Sequence, residues 1–382
     1  MSQAIRHEIR NTGIRIINVY RVPHTLIFIM TLASIFAFAA RPISAAITSL
    51  GDINPVYTGS DPWNLESGLQ VGVNGIGALD IENGSKVSNI FAHLGYHSGS
   101  SGTVTVTGAG SEWNNSGDML VGRSGIGVLN IENTSVVNVS NVTWVGKNTT
   151  GTGTINFNGG TLNTTGLLAS TNELLGTGTI NTAVMVGDID IVFNATTGLQ
   201  QQIVLDSLTS QNISINLDAS APDNQGPLGA GYRNTGTLTI SDGLAISSSG
   251  GYLGYNLGSD GTATVTGGAI WNTGRSMYVG YIGAGTLKIE HAGEVNSIGS
   301  SYIGLSTGSL GSVTVTGTES TWNNTWDLFV GNGGQGSLDI NDGGTVSAAK
   351  SYIGGTPGIH GEVTVTGAGS RWDNTGFLSV EI

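Results

Sequence analysis

The chain has 382 residues, of which 62 are glycine, none is cysteine and only 10% are charged. Without cysteine it can form no disulfide, no thiolate metal site and no cysteine nucleophile. After position 46 the chain carries eight basic residues against 25 acidic ones. Nucleic acids and anionic membrane surfaces are bound through basic faces, so neither is an expected partner.

The first 46 residues have the organisation of a secretory signal peptide. Residues 1–25 are basic, 15 uncharged and mostly apolar residues follow at 26–40, and small residues at Ser44 and Ala46 complete the pattern. An apolar run of this length is short for a transmembrane helix, which needs about 20 residues. We therefore predict export, with cleavage after Ala46. Cleavage after Ala39 and an uncleaved anchor are the alternatives.

Residues 47–64 are predicted to form a capping segment. They place Pro55 and Pro62 in an irregular context, directly before the first repeat residue, Trp63. The terminal rung of a repeat protein exposes a β edge that invites aggregation. A cap is therefore expected at this point of the chain.

A repeat of about 25 residues fills most of the remaining chain, 65–382. Leu79, Val104 and Leu129 occupy equivalent positions 25 residues apart. The alternation of apolar and hydroxyl side chains around Val104 is typical of a half-buried strand. Three short strands and three turns fit into one such unit, which is one rung of a parallel β-helix. A β-propeller blade needs roughly 40–50 residues and has no internal repeat, so we predict an all-β chain folded as a parallel β-solenoid.

Tryptophan and glycine mark the repeat. Trp63 and Trp113 are 50 residues apart, as are Trp322 and Trp372, so tryptophan occupies alternate rungs. We interpret these side chains as corner or core residues, with an outward sugar-binding row as the alternative. The glycines that close each rung are expected to make turns at positive φ. The repeat-defining residues are Trp63, Trp113, Trp271, Trp322, Trp372, Gly72, Gly122, Gly280 and Gly331.

The repeat becomes irregular at about 166–235. Ile180 and Ile213 are 33 residues apart, which predicts an insertion between them. Leu238 follows Ile213 by 25 residues, so regular spacing is expected to resume there. We interpret the chain as one solenoid with an irregular middle.

Three residues of the irregular middle form an alternative enzyme site. Asp188 and Asp190 are two residues apart, and Arg233 is a nearby base. Clustered carboxylates can hold Ca²⁺, and a neighbouring basic side chain can accept a proton. Under this alternative the protein acts on polysaccharide as a lyase or hydrolase.

The repeat resembles that of a known group of exported proteins. The string Thr105–Val137, TVTGAGSEWNNSGDMLVGRSGIGVLNIENTSVV, and its copies in 65–165 and 230–382 are similar to the repeats of bacterial autotransporter (type V secretion) passengers and PEP-CTERM-associated surface proteins. The resemblance implies an exported Gram-negative surface protein with a right-handed β-helix, often adhesive, and brings no catalytic residues. Two parts typical of these proteins have no counterpart in this sequence: the alternating strands of a translocation barrel and a terminal Pro-Glu-Pro motif.

The predicted function is that of an exported adhesive or structural passenger of an autotransporter-like system, at the cell surface, at the outer membrane or outside the cell. We predict no catalytic residue, no metal, no cofactor and no membrane insertion of the mature chain. The expected partners are host or matrix polysaccharide or protein, or a second copy of the chain. The alternatives are the polysaccharide-acting enzyme and a non-functional fragment of a longer gene. The last rung appears truncated because the sequence stops at Ile382, within a strand.

Overall fold

The computed structural model describes residues 45–220, 226–355 and 358–381, and the chain from Ala45 to Ile382 forms one unit. All but the last two residues of the predicted signal peptide lie outside the described residues. Cleavage after Ala46, the first residue of a strand, therefore stays a prediction. In the described part of the chain, no helix is long and apolar enough to cross a bilayer.

The described residues form 36 strands and one 3₁₀ turn, Thr171–Glu173. The strands up to the irregular middle are β1 (Ala46–Gly51), β2 (Ile53–Asn54), β3 (Trp63–Asn64), β4 (Leu69–Val71), β5 (Ile76–Glu82), β6 (Lys86–Asn89), β7 (Ala92–Leu94), β8 (Ser101–Thr107), β9 (Glu112–Asn115), β10 (Met119–Val121), β11 (Ile126–Glu132), β12 (Val136–Val145), β13 (Thr152–Ala169) and β14 (Leu174–Gly187). The strands that follow are β15 (Asp190–Phe193), β16 (Gln200–Leu205), β17 (Asn212–Asp218), β18 (Pro227–Ala230), β19 (Thr235–Ile240), β20 (Ala245–Ser248), β21 (Gly250–Leu253), β22 (Asp260–Val265), β23 (Ile270–Thr273), β24 (Met277–Val279), β25 (Ala284–Glu290), β26 (Glu294–Ser297), β27 (Ser301–Ile303), β28 (Leu310–Thr316), β29 (Thr321–Asn324), β30 (Leu328–Val330), β31 (Gln335–Asn341), β32 (Thr345–Ala348), β33 (Ser351–Ile353), β34 (Gly361–Val365), β35 (Arg371–Asn374) and β36 (Leu378–Val380).

These strands stack as a β-solenoid of about 12 turns with roughly 25 residues between rungs. We name its three faces. The long face contains β5, β8, β11, β15, β19, β22, β25, β28, β31 and β34; the tryptophan face contains β3, β6, β9, β17, β20, β23, β26, β29, β32 and β35; the short face contains β4, β7, β10, β18, β21, β24, β27, β30, β33 and β36. β12 runs through the tryptophan and short faces, and β13 and β14 each run through all three. The predicted all-β solenoid is confirmed.

Apolar side chains at alternate strand positions form a continuous core. On the long face Leu79, Val104 and Leu129 lie in register on successive rungs and are fully buried. The intervening Asp80 and Thr105 face outward, as the period of two in a strand requires. Every added rung therefore extends the same core, which is how a solenoid gains stability from repetition.

The repeat tryptophans belong to this core. In register Trp113 lies between Val87 and Val137, so large and small side chains alternate along the tryptophan face. The four most buried tryptophans of the series, which are at most 3% exposed, are Trp63, Trp113, Trp271 and Trp322. Trp372 in the last rung is partly buried against the same core. The alternative of an outward tryptophan row is therefore wrong.

Glycine closes the short-face strands where a side chain would not fit. Gly72, Gly122, Gly280 and Gly331 have φ between +70° and +76°. A Cβ on Gly122 would lie 2.2 Å from a backbone oxygen of the next rung. Glycine meets both the left-handed backbone and the close approach of the following rung.

The N-terminal edge of the solenoid pairs within the chain. β1 runs antiparallel along β5, from Ala46 opposite Glu82 to Gly51 opposite Gly77. β2 runs antiparallel along β4 in the same way. The predicted capping segment thus supplies strands that hydrogen-bond the first edge, which would otherwise be open to strand addition.

Only the short face runs unbroken through the irregular middle. The long-face sheet begins again at β15, and the tryptophan-face sheet begins again at β20. β16 folds back antiparallel on β17 and occupies the edge where a further rung would stack. On the short face β14 pairs with β18, and β18 pairs with β21. The two halves of the solenoid are therefore joined through one continuous sheet.

The predicted insertion between Ile180 and Ile213 is the segment that contains β15 and β16. The predicted regular spacing from Ile213 to Leu238 is wrong, because Ile213 lies on the tryptophan face and Leu238 on the long face. The 25-residue interval between them joins positions that are not equivalent.

Candidate ligand-binding face

The outer side of the short face carries a row of aromatic rings. The middle residue of each short-face strand points outward because its neighbours are buried, as Met277 and Val279 are on either side of Tyr278. Ring centroids are 4.7–5.4 Å apart, and the ring planes differ by 5–25°. The stacked residues, which we call the aromatic row, are Tyr252, Tyr278, Tyr302, Phe329 and Tyr352.

Stacking decides what the aromatic row can offer to a ligand. Within the row each ring uses its faces on its neighbours, so ring edges and phenol hydroxyls remain for solvent. Burial raises the pKa of Tyr252 and Tyr302 above that of an ordinary tyrosine, so both are protonated hydroxyls at neutral pH. A free ring face is therefore available only where the stack ends.

A second set of tyrosines covers the short face over the irregular middle. After Gly231 and Gly254, whose φ values are +71° and +68°, the chain turns back over the face. The hydroxyl of Tyr232 donates to the Val145 carbonyl at 2.9 Å, which connects rungs on either side of the break. The hydrophobic cluster formed here, separate from the main core, contains Val142, Leu168, Val186, Tyr232 and Tyr255.

The corner between the tryptophan face and the short face varies in length. Three residues form it at 116–118, between β9 and β10, and at 274–276, between β23 and β24. Near the irregular middle it shrinks to a single residue: Thr165 within β13, Ala183 within β14 and Ser249 between β20 and β21. The two long corners therefore rise on either side of a depression.

This depression is a cleft of about 330 Å³, which we call the junction cleft. Three aromatic side chains line it: Trp144, Tyr252 and Tyr278. Asp118 lines it from one long corner and Arg275 from the other. The cleft thus combines an aromatic wall with two opposite charges.

Few groups of the protein compete for the polar side chains of the cleft. One carboxylate oxygen of Asp118 accepts the Val142 N–H at 3.2 Å, which leaves the other oxygen with no protein donor in the described ranges. Arg275 is exposed and forms no ion pair within the described residues. The Trp144 indole N–H has no hydrogen-bond partner in that same part of the chain. All three groups can therefore bond to a ligand.

The charges are distributed unequally among the faces. Long-face strands contain eight acidic residues and one basic residue, Lys288, whereas short-face strands contain no charged residue. Four of the eight basic residues after position 46 flank the short face, and none of these four forms an ion pair within 45–220, 226–355 and 358–381. They are Arg123, Lys147, Arg275 and Lys350.

Some of these cations lie against aromatic rings. Arg123 stands over Tyr96 at 4.3 Å and Lys147 over Trp144 at 4.2 Å, distances at which a cation is attracted to a ring face. Burial lowers the pKa of His93 to about 4, and the charges of Arg123 and Lys147 lower it further in the same direction. His93 is therefore neutral at pH 7, and the positive charge of this region comes from arginine and lysine.

The residues of the predicted enzyme site bond to other rungs and do not converge on a cleft. Asp188 accepts the backbone N–H groups of Tyr232 and Arg233 at 2.7 and 2.9 Å, and Asp190 accepts the Thr237 hydroxyl at 2.6 Å. The three side chains are therefore occupied in bonds within the fold. No group of three histidine, aspartate or glutamate side chains that could hold a metal occurs among the described residues.

The Arg233 guanidinium joins three parts of the chain. It pairs with Glu173 at 2.8 Å and donates to the carbonyls of Gly146 and Gly151. Burial raises the pKa of Glu173 to about 7, although the Ser170 N–H and the charge of Arg233 act in the opposite direction. Arg233 therefore stabilises the irregular middle as a link between rungs.

A polar groove of about 620 Å³ follows the tryptophan face in the first half. Each asparagine carboxamide donates to that of the preceding rung at 2.7 Å, from Asn216 through Asn181, Asn163 and Asn138 to Asn114. Every amide thus uses one donor and one acceptor on its neighbours. The ladder mainly joins rungs, so the junction cleft is the better candidate site.

The sequence interpretation missed the aromatic row. The signal was present in the segments that close the rungs, SMYVG, SYIG, DLFVG and SYIG, each with an aromatic residue before its last apolar residue. These segments were interpreted only as apolar closing pairs. Their intervals vary, with 24 residues from Tyr278 to Tyr302 and 27 from Tyr302 to Phe329, which hid the row.

Comparison with known proteins gives little independent information. No family model matches the chain, and no solved structure matches it. Over 124 residues, 31% of the chain, it is 31% identical to the uncharacterized lipoprotein YdeK of Escherichia coli (strain K12). The matched stretch covers 9% of that relative, so the chain spans only a small part of its length.

Proposed function

We propose that the protein is an exported surface protein that adheres to polysaccharide through its short face. The predicted signal peptide supports export, as does the similarity to a protein named a lipoprotein. The resemblance of its repeats to autotransporter passengers favours delivery by a system of that type. The solenoid fold suits adhesion because repetition creates extended faces.

The observation that carries the adhesive part is the contrast between the short face and the long face. The short face has aromatic residues and unpaired cations at its borders, whereas the long face has an excess of acids. Enrichment in tyrosine, tryptophan and arginine with depletion of acids is typical of binding surfaces. Phenol hydroxyls repeated from rung to rung, at roughly 4.8 Å, suit a polymer with hydroxyl groups along its length.

Export is tested with the full chain, carrying a C-terminal tag, in a Gram-negative host. We expect protease-accessible protein at the surface or in the medium, with Ile47 as its first residue. Protein that remains in the cytoplasm with its N-terminus intact would contradict export.

Adhesion is tested by retention of the full chain on immobilised dextran, mannan, galactan, chitosan and polygalacturonate. We expect Trp326→Ser, which removes an exposed ring beside the short face, to reduce retention. Ile298→Ser is the matched control, because Ile298 occupies the same corner one rung earlier and is similarly exposed, 58% against 62%. Retention on none of the polymers would refute the proposed function.

A further inference from the structure

We propose that the junction cleft binds one uncharged pyranose residue of a polysaccharide, against its aromatic wall and between Asp118 and Arg275. This proposal rests on the proposed function and names the site and the sugar class for it. The fold makes the cleft only once among the described residues, at the place where single-residue corners lie between two three-residue corners. The proposed ligand is therefore a single ring held at one point of a longer chain.

The size of the cleft favours one ring. Its volume of about 330 Å³ lies at the lower end of the roughly 300–1,000 Å³ of ligand pockets. The long corners 116–118 and 274–276 border it at opposite ends. A polymer would thus place one residue in the depression and continue over the short face.

The aromatic row ends at this cleft, which leaves a ring face without a stacking partner from the row. Tyr252 is the first ring of the row, and one of its faces is stacked on Tyr278. In register on the preceding rung lies Gly229, which has no side chain. The C–H groups of a pyranose ring carry partial positive charge and are attracted to the negative face of an aromatic ring.

The two charged side chains determine the sugar class. A sugar hydroxyl can donate to Asp118 and accept from Arg275, since it is both donor and acceptor, and hydrogen bonds to charged groups are stronger than neutral ones. A uronate carboxylate would meet the charge of Asp118, and an amino sugar would meet the charge of Arg275. Opposite charges on the two corners therefore favour an uncharged sugar.

The indole N–H of Trp144 gives a further reason for a ligand with hydroxyl groups. It is shielded from solvent and has no partner within the described residues. A buried donor without an acceptor is costly. A hydroxyl group in the cleft that Trp144 lines would supply an acceptor.

The test measures binding of the full chain to the same five polymers by affinity electrophoresis. We expect the tightest binding to dextran, mannan or galactan, which are uncharged. Asp118→Asn and Arg275→Gln should each weaken that binding by roughly 10- to 100-fold, the range for a lost hydrogen bond to a charged group. Asp339→Asn and Lys288→Gln make the same chemical changes on the long face and should leave binding unchanged.

Three outcomes would overturn the proposal. Tightest binding to polygalacturonate or chitosan would refute the uncharged class. Unchanged binding by both cleft variants, with unfolding midpoints equal to that of the parent protein, would refute the site while leaving adhesion by the short face intact. If the parent protein binds none of the five polymers, the proposed function itself fails. The Asn side chain of Asp118→Asn can still accept the Val142 N–H, so this variant should fold.

Discussion

The rungs from β22 onward and the rungs formed by β13 and β14 build the same three faces with different corners. From β22 onward, two or three residues separate the tryptophan-face and short-face strands, and all three sheets continue. In β13 and β14 a single residue makes that corner, and two of the three sheets break shortly afterwards. The regular rungs carry the aromatic row, and the short-cornered rungs leave the junction cleft.

The comparison teaches that corner length determines the outer surface without changing the core. Leu167 in β13 and Val279 in β24 are both fully buried on the inner side of the short face. On the outer side, however, the short-cornered rungs need Tyr232 and Tyr255 to cover them. An aromatic cluster thus replaces the missing corner residues, and this cluster borders the cleft.

The largest expected effect separates the interior rungs from the last one. Trp271→Ala should reduce the free energy of unfolding by roughly 3–5 kcal/mol, because it empties a fully buried position between Ile246 and Val295. Trp372→Ala should cost less, since Trp372 is only partly buried. Urea unfolding followed by circular dichroism measures both. Equal losses would mean that the interior rungs are not packed more tightly than the last.

The second prediction breaks the link across the irregular middle. Arg233→Gln leaves the Glu173 carboxylate without its counter-charge, and we expect a loss of about 2–3 kcal/mol at pH 8, below that of a fully buried pair because the Arg233 side chain is 25% exposed. Below about pH 5 the loss should shrink, since a protonated Glu173 needs no counter-charge. Unfolding in urea at pH 5 and pH 8 measures the difference.

The pH dependence of the parent protein follows from the same group. The pKa of Glu173 is raised to about 7 from its ordinary 4.5, so the folded state holds the proton more tightly than the unfolded state. The contribution of Glu173 to stability is therefore complete below about pH 4.5 and is lost as the pH rises through 7. Glu173→Gln should flatten this part of the profile. An identical profile in this variant would assign the pH dependence to other groups.

The third prediction compares two equivalent serines, one at the start of the regular tryptophan face and one inside it. The Trp271 indole donates to the Ser248 hydroxyl at 3.0 Å, whereas the Ser297 hydroxyl has no partner in the described ranges. Ser248→Ala should cost about 1–3 kcal/mol, because it leaves a buried donor unsatisfied, and Ser297→Ala should be close to neutral. Thermal unfolding of the two variants side by side decides it. A larger loss in Ser297→Ala would contradict the hydrogen-bond assignment.

The smallest expected effect concerns the aromatic row. Tyr302→Ser removes two stacked contacts, with Tyr278 and Phe329, and should cost roughly 1–2 kcal/mol. Tyr302→Phe keeps both contacts and should be nearly neutral. Denaturation midpoints of the two variants measure the effect, and equal destabilisation would show that the hydroxyl matters more than stacking.

Sequence reasoning was strongest where the cause is local. The positions of Leu79, Val104 and Leu129 predicted the register of the long face, because a period of two and a fixed repeat determine which residues turn inward. It failed between Ile213 and Leu238, because counting 25 residues does not reveal which face a strand joins once β16 folds back. Asp188 and Asp190 were singled out by their chemistry, whereas their structural role as acceptors from residues more than 40 positions away could not be predicted.

The amino-acid sequence suffices to establish the repeat, the inward-facing residues and the glycines at the turns, since each depends on neighbours a few residues away. Only the folded chain shows which outward residues meet across rungs. Trp144 and Tyr255 have ring centroids 5.7 Å apart although they are 111 positions apart, and the stack of Tyr278 on Tyr302 depends on backbone register between strands. The aromatic row and the junction cleft are therefore properties of the tertiary structure, because hydrogen bonds between rungs set the register and corner lengths set the shape of the surface.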